Sequence, residues 1–177
     1  MKKTILMAAV LGALGFVGTA SANVASHVFT WSGTVPASSS QNGFIIKASD
    51  TTDIKNGALV FSATADGKGV LQSSSSLDFN VFDYTGEVIG DAAASYDYQL
   101  TNLGATKGGL VQEQDANGYY KITADGLDLD KGNIIAAKQG QTVLTVAQSE
   151  AATPSNQPES GDDVAVHATI VVTAATL

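Results

Sequence analysis

The chain contains two histidines, His27 and His167, and no cysteine. That inventory limits the chemistry its side chains can perform. A Ser-His-Asp site needs a histidine held in a cleft by an orienting acid. His27 stands near the start of the expected exported chain, and His167 alternates away from the apolar side of the last strand-like run. No Gly-x-Ser-x-Gly elbow accompanies either one. Two histidines also fall short of an ordinary zinc site without help from acids. Three acids gather in Asp125-Gly126-Leu127-Asp128-Leu129-Asp130-Lys131-Gly132. A helix-loop-helix calcium loop needs Gly at its sixth position and Glu at its twelfth. Counted from Asp128, those positions hold Asn133 and Gln139, so the run reads as a solvated turn. Gly104-Ala105-Thr106-Lys107-Gly108 lacks the spacing of a phosphate loop. Tyr96, Tyr98, Tyr119 and Tyr120 either line a glycan site or pack on a sheet, where aromatics are common. The chain is therefore read as a non-enzyme, with no metal and no cofactor.

The elements around these residues start with an export signal. Met1-Lys2-Lys3-Thr4 is followed by an apolar run from Ile5 to Val17 and then by Ala20-Ser21-Ala22. A charged start, a short apolar core and an A-x-A site are the layout of a secretory signal peptide. The run is shorter than the ~20 residues of a membrane span. Cleavage after Ala22 is expected, leaving 155 of the 177 residues. That is one domain, long enough to bury a core. Without Lys2 and Lys3, seven lysines and no arginine face 17 acids, a net charge of −10. Arginine is the preferred residue for reading phosphates and bases, so nucleic acid is not an expected partner.

The remaining pattern is all-β. Phe44–Ala48, Ala58–Thr64, Leu77–Tyr84, Ser95–Leu100, Tyr119–Ala124 and Gln141–Ala147 read as strands, with Asn133–Ala137 a weaker one. Leu77, Phe79 and Val81 alternate with Asp78, Asn80 and Phe82. Asp66-Gly67, Thr85-Gly86-Glu87 and Asn117-Gly118 are turn signals. Asn102–Gly109 reads as a Gly-rich loop, Ser149–Asp163 as an exposed loop with Pro154 and Pro158, and Asp91–Ala94 as a short helix candidate. The longest β-like run is the last, Val164–Ala174, with Val164, Val166, Ala168, Ile170 and Val172 on one face. Short strands divided by Gly, Ser and Asp turns predict a β-sandwich.

One stretch near the expected mature start stands apart. Phe29, Trp31, Gly33 and Val35 alternate with Thr30, Ser32 and Thr34, and Pro36 and Ala37–Gly43 break the pattern afterwards. Alternation predicts a half-buried strand. A glycine inside it costs roughly 0.5–1 kcal/mol relative to Ala and marks close approach of another backbone. The run is either the first strand of its own sandwich or a segment that fits a groove shallow at one point.

Val28-Phe29-Thr30-Trp31-Ser32-Gly33-Thr34-Val35 resembles the N-terminal extension of chaperone–usher fimbrial subunits, and is most similar to major subunits of colonisation-factor fimbriae of enterotoxigenic type. The resemblance implies an incomplete immunoglobulin-like β-sandwich, completed by a donor strand from a neighbouring subunit. It divides the chain into a signal peptide (1–22), a donor-strand extension (23–36) and a pilin domain (37–177). Donor residues would be Phe29, Trp31, Gly33 and Val35, and the acceptor groove would be lined by Val164, Val166, Ala168, Ile170 and Val172. Implied partners are identical subunits in a head-to-tail polymer, a periplasmic chaperone and an outer-membrane usher, with a host glycan or protein receptor left open. The implied place is the cell surface, reached through the periplasm. Lack of cysteine points to a cysteine-free branch. The competing reading is a monomeric exported β-sandwich that binds a glycan.

Overall fold

A computed structural model describes residues 28–31, 43–107 and 109–177, the first four and Lys107 by backbone alone. The expected signal peptide, Gly33 and Val35 lie outside the described residues. Every regular element among the described residues is a strand. In chain order these are β1 (Val28–Trp31), β2 (Phe44–Lys47), β3 (Gly57–Ala63), β4 (Gly69–Ser74), β5 (Leu77–Thr85), β6 (Val88–Ala92) and β7 (Ser95–Lys107). There follow β8 (Leu110–Glu113), β9 (Tyr120–Ala124), β10 (Leu127–Asp128), β11 (Ile134–Lys138), β12 (Thr142–Gln148) and β13 (Val166–Thr176).

Three sheets form, with every pairing between named strands antiparallel. One has the order β1-β3-β4, the second β10-β9-β12-β5-β2 with β6 beside β5, and the third β11-β7-β13 with β8 beside β7. β4 lies along β12, where the Ser74 hydroxyl accepts the Val146 N–H at 2.9 Å and Gln148 Nε2 donates to the Leu71 carbonyl at 2.8 Å. The first two sheets thus form one layer, and the third packs against it face to face. This arrangement is consistent with a β-sandwich.

Turn chemistry explains the tight hairpins. Gly86 and Glu87 (φ 60° and 65°) connect β5 to β6, and Asp125 and Gly126 (φ 51° and 81°) connect β9 to β10. Two successive positive φ values mark the mirror-image turns that match strand twist. Asp125 is tied down further, its Oδ1 accepting the Val143 N–H at 2.9 Å. The three-acid run is thus a hairpin.

The core is aromatic at its centre. Phe79 of β5 meets Tyr96 at 5.9 Å and Tyr98 at 5.6 Å between ring centres, joining the two layers. Tyr96 donates to the Gly140 carbonyl at 2.8 Å, and its oxygen pairs with the fully buried Thr142 hydroxyl at 2.8 Å. The Tyr119 hydroxyl accepts the Leu71 N–H at 3.0 Å. Tyr120 is packed edge-on against Phe61 and Tyr119, yet its buried hydroxyl has no hydrogen-bond partner among the described residues.

Two sequence expectations need correction. The loop expected at Asn102–Gly109 is mostly strand: β7 continues to Lys107, because Leu103 and Ala105 bury their side chains and pair with β13. No helix forms at Asp91–Ala94; Val88–Ala92 is β6, and Ala93 donates its N–H to the Val81 carbonyl at 2.8 Å. Asn80 and Phe82, which alternate with Phe79 and Val81, are buried as well, with Phe82 in register between Ile45 and Ala92.

The tyrosines give paired expectations. Tyr96→Phe removes the bonds to the Gly140 carbonyl and the buried Thr142 hydroxyl and should cost about 1–3 kcal/mol, whereas Tyr120→Phe removes an unpaired phenol and should gain about 1 kcal/mol. Urea midpoints at constant m-value measure both. Burial pushes the Tyr96 phenol up to about 12 and raises Tyr120 as well. The unfolded chain therefore ionises first, near pH 10. Stability from these groups should be complete below pH 10 and fall as pH rises toward 12. Urea unfolding measured across that range checks the sign.

Candidate functional site

β13 is built from residues that favour extended backbone, Val-His-Ala-Thr-Ile-Val-Val-Thr. Its inner side chains, Val166, Ala168, Ile170 and Val172, are buried, as is Val164 just before the strand. These five residues lie in the core, alongside Tyr98, Leu100 and Leu103. The ladder to β7 runs from Val166 opposite Ala105 to Thr176 opposite Ser95. It shifts register between Thr169 and Ile170, where the Thr101 hydroxyl donates to the Thr169 carbonyl at 3.2 Å, and again around Thr173.

On its other side β13 has no strand partner among the described residues. It is eleven residues long and contains no Lys, Asp, Glu or Pro. The other sheet-terminal strands differ. β10 has two residues and β2 has four. β11 has five residues and ends on Lys138, and β8 has four and ends on Glu113, which is ion-paired to Lys131. Short or charged edges resist addition of a further strand; a long uncharged one invites it.

Two other strands approach the ends of β13. β2 begins beside the end of β13, since Gly43 lies against Leu177. β3 ends near the start of β13, since Phe61 and Ala63 share a recess with Val164. Each is a contact at one point, at opposite ends of β13. β1 lies on β3, pairing Val28 with Val60, Phe29 with Leu59, Thr30 with Ala58 and Trp31 with Gly57. Of the expected donor residues, Phe29 and Trp31 thus have their backbone on β3 of the same chain, while Gly33 and Val35 fall outside the described residues. The expected acceptor residues come from β13 alone. The β3 edge, including half-exposed Val60, was missed, because periodicity marks a strand without naming its neighbour.

A second feature is a cleft of about 630 Å³ between β7 and β9. Leu100, Leu103, Tyr120, Ile122 and Leu129 form its floor. Lys121 Nζ meets Asp128 Oδ2 at 2.8 Å on its rim, a contact that raises the lysine pKa. Its volume is that of a small-molecule site. Tyr96, Tyr98 and Tyr119 are buried rather than displayed. His167 is on the outer face of β13, and His27 is outside the described residues. Among the described residues no group of three His, Cys, Asp or Glu is placed to hold a metal.

No protein-family model matches the chain, and no curated protein is similar enough to match it.

An antiparallel edge strand turns alternate residues' N–H groups toward its partner and the others outward. Hydrogen exchange along Val166–Val172 is expected to alternate between slow amides bonded to β7 and fast amides on the free edge. Uniform protection would show that the edge is already covered.

Proposed function

We propose that the chain is an exported structural subunit of a surface fimbria, polymerising head to tail through its N-terminal strand. The carrying observation is the long uncharged edge of β13, with the N-terminal strand β1 laid on an edge of β3. In the polymer, Phe29–Val35 of one copy enters the side between β3 and β13 of the next, completing an immunoglobulin-like fold. The strand supplies ladder partners for unpaired backbone and side chains for the apolar interior, as in β-augmentation.

Magnitudes favour a lasting contact. Burying Phe29, Trp31 and Val35 contributes roughly 5–9 kcal/mol at about 1.5–3 kcal/mol each. Each ladder hydrogen bond adds about 0.5–1.5 kcal/mol. Such a contact does not close on itself, so it builds a filament rather than a ring. A chaperone that lends a strand before assembly, and an usher that exchanges it, follow from the resemblance of the Phe29–Val35 segment alone.

The second reading is a monomeric exported binding module. Two observations favour it: β1 pairs with β3 of its own chain, and the cleft over Leu100 and Leu129 has the volume of a small ligand.

A denaturing gel separates the two. Protein taken from the producing cell surface is run unboiled and boiled, beside a variant lacking residues 23–36. A ladder that collapses only on boiling and is absent from the variant is expected. A single monomer band in every lane would overturn the polymer reading in favour of the binding module. Gly33→Lys is expected to yield chaperone-bound monomer without fibres; normal fibres from it would remove Gly33 from the register.

A further inference from the structure

The edge opposite β13 in the same sheet is β11, and it carries an unusual arrangement. Ile134 pairs with Gln99 and Ile135 with Tyr98, but the next pair is Lys138 with Tyr96. Two residues, Ala136 and Ala137, therefore oppose the single residue Asp97. Ala137 has φ 51°, a left-handed backbone that a residue with a Cβ adopts at a cost of about 1 kcal/mol or more. Alanine has no polar side chain to offset that cost. The compensation comes from across the ladder: Asp97 Oδ1 accepts the Ala137 N–H at 2.7 Å. A carboxylate acceptor makes this one of the stronger classes of hydrogen bond. It also takes an edge N–H out of circulation.

We infer that the Asp97–Ala137 bond is a guard, holding β11 in a bulge so that a second sheet cannot pair with this edge. Without it, residues 135–138 can straighten and present a continuous row of N–H and C=O groups. The strand needs a guard because its outward side chains do not provide one. Ile134 is 53% exposed, Ala136 and Ala137 are exposed, and the first charge is Lys138 at the far end, drawn to Asp125 Oδ2 at 3.2 Å. A sheet with β13 open on one side and β11 open on the other would stack side by side without limit. Closing β11 leaves one edge for association. The inference holds whether the β13 edge receives a donor strand or stays bare.

The test uses the full-length exported protein, with the unaltered protein's own assembly state as baseline. Asp97→Ala should exchange the Ala137 amide about tenfold faster or more, the effect of losing one charge-assisted bond. It should also associate further with concentration in sedimentation velocity. Asp97→Asn keeps a carbonyl acceptor and should match the unaltered protein. Adding Ala136→Lys to Asp97→Ala places a charge on the edge and should restore baseline sedimentation. Baseline sedimentation of Asp97→Ala, or association that Ala136→Lys leaves untouched, overturns the guard. Should Asp97→Ala fail to fold, Ala137→Val decides, because a β-branched residue resists positive φ. Extra association supports the guard and baseline sedimentation overturns it.

Discussion

Everything in this molecule depends on the ladder between β7 and β13. It ties Ser95 to Thr176 at one end and Ala105 to Val166 at the other. β7 is also the strand on which β11 and β8 pair, and its Tyr96 and Tyr98 meet Phe79 across the core. Remove β13, and β7 loses one whole side of its backbone partners together with the Val166, Ile170 and Val172 side chains that cover it. The pairing joins residues about seventy apart in the chain, so the loop-closure cost is met before the contacts return anything. Folding of the sandwich therefore waits for the C-terminal strand. A chain that closes its core with its last strand displays that strand's far edge only once the core is complete.

Different parts of this structure announce themselves differently in the sequence. β13 and β12 are legible because β-branched residues alternate cleanly, and the inner set, from Val166 to Val172, is buried as alternation requires. The β5–β6 turn is legible from Thr85-Gly86-Glu87, where the chain needs positive φ twice. The second half of β7 is not legible. Asn102, Gly104 and Thr106 look like loop residues, and only the partner strand makes Leu103 and Ala105 core. The bulge at Ala137 is invisible because alanine gives no hint of a left-handed backbone; the bond that holds it comes from a residue forty positions away. Of the candidate site, the strand and its inner face could be read, but the β3 edge could not. Local pattern predicts elements, while pairing is a property of the whole chain.

Charge gives the open edge its meaning. With the expected signal removed, the chain carries a net charge of −10, so copies that approach at random repel one another. Repulsion of this kind is screened within roughly 8–10 Å at physiological salt. It slows encounter and does little once two backbones are in ladder contact. The β13 edge is uncharged along its length, so a strand laid against it meets no adjacent acid on that strand. The donor segment proposed for it, Phe29 to Val35, is uncharged as well. The net charge discourages general contact, while the β13 edge itself carries no acid that would repel a strand laid against it. The same logic explains why β11 needs a backbone guard. With two isoleucines and two alanines ahead of Lys138, charge alone leaves most of that edge undefended, and a fixed bulge protects where side chains do not.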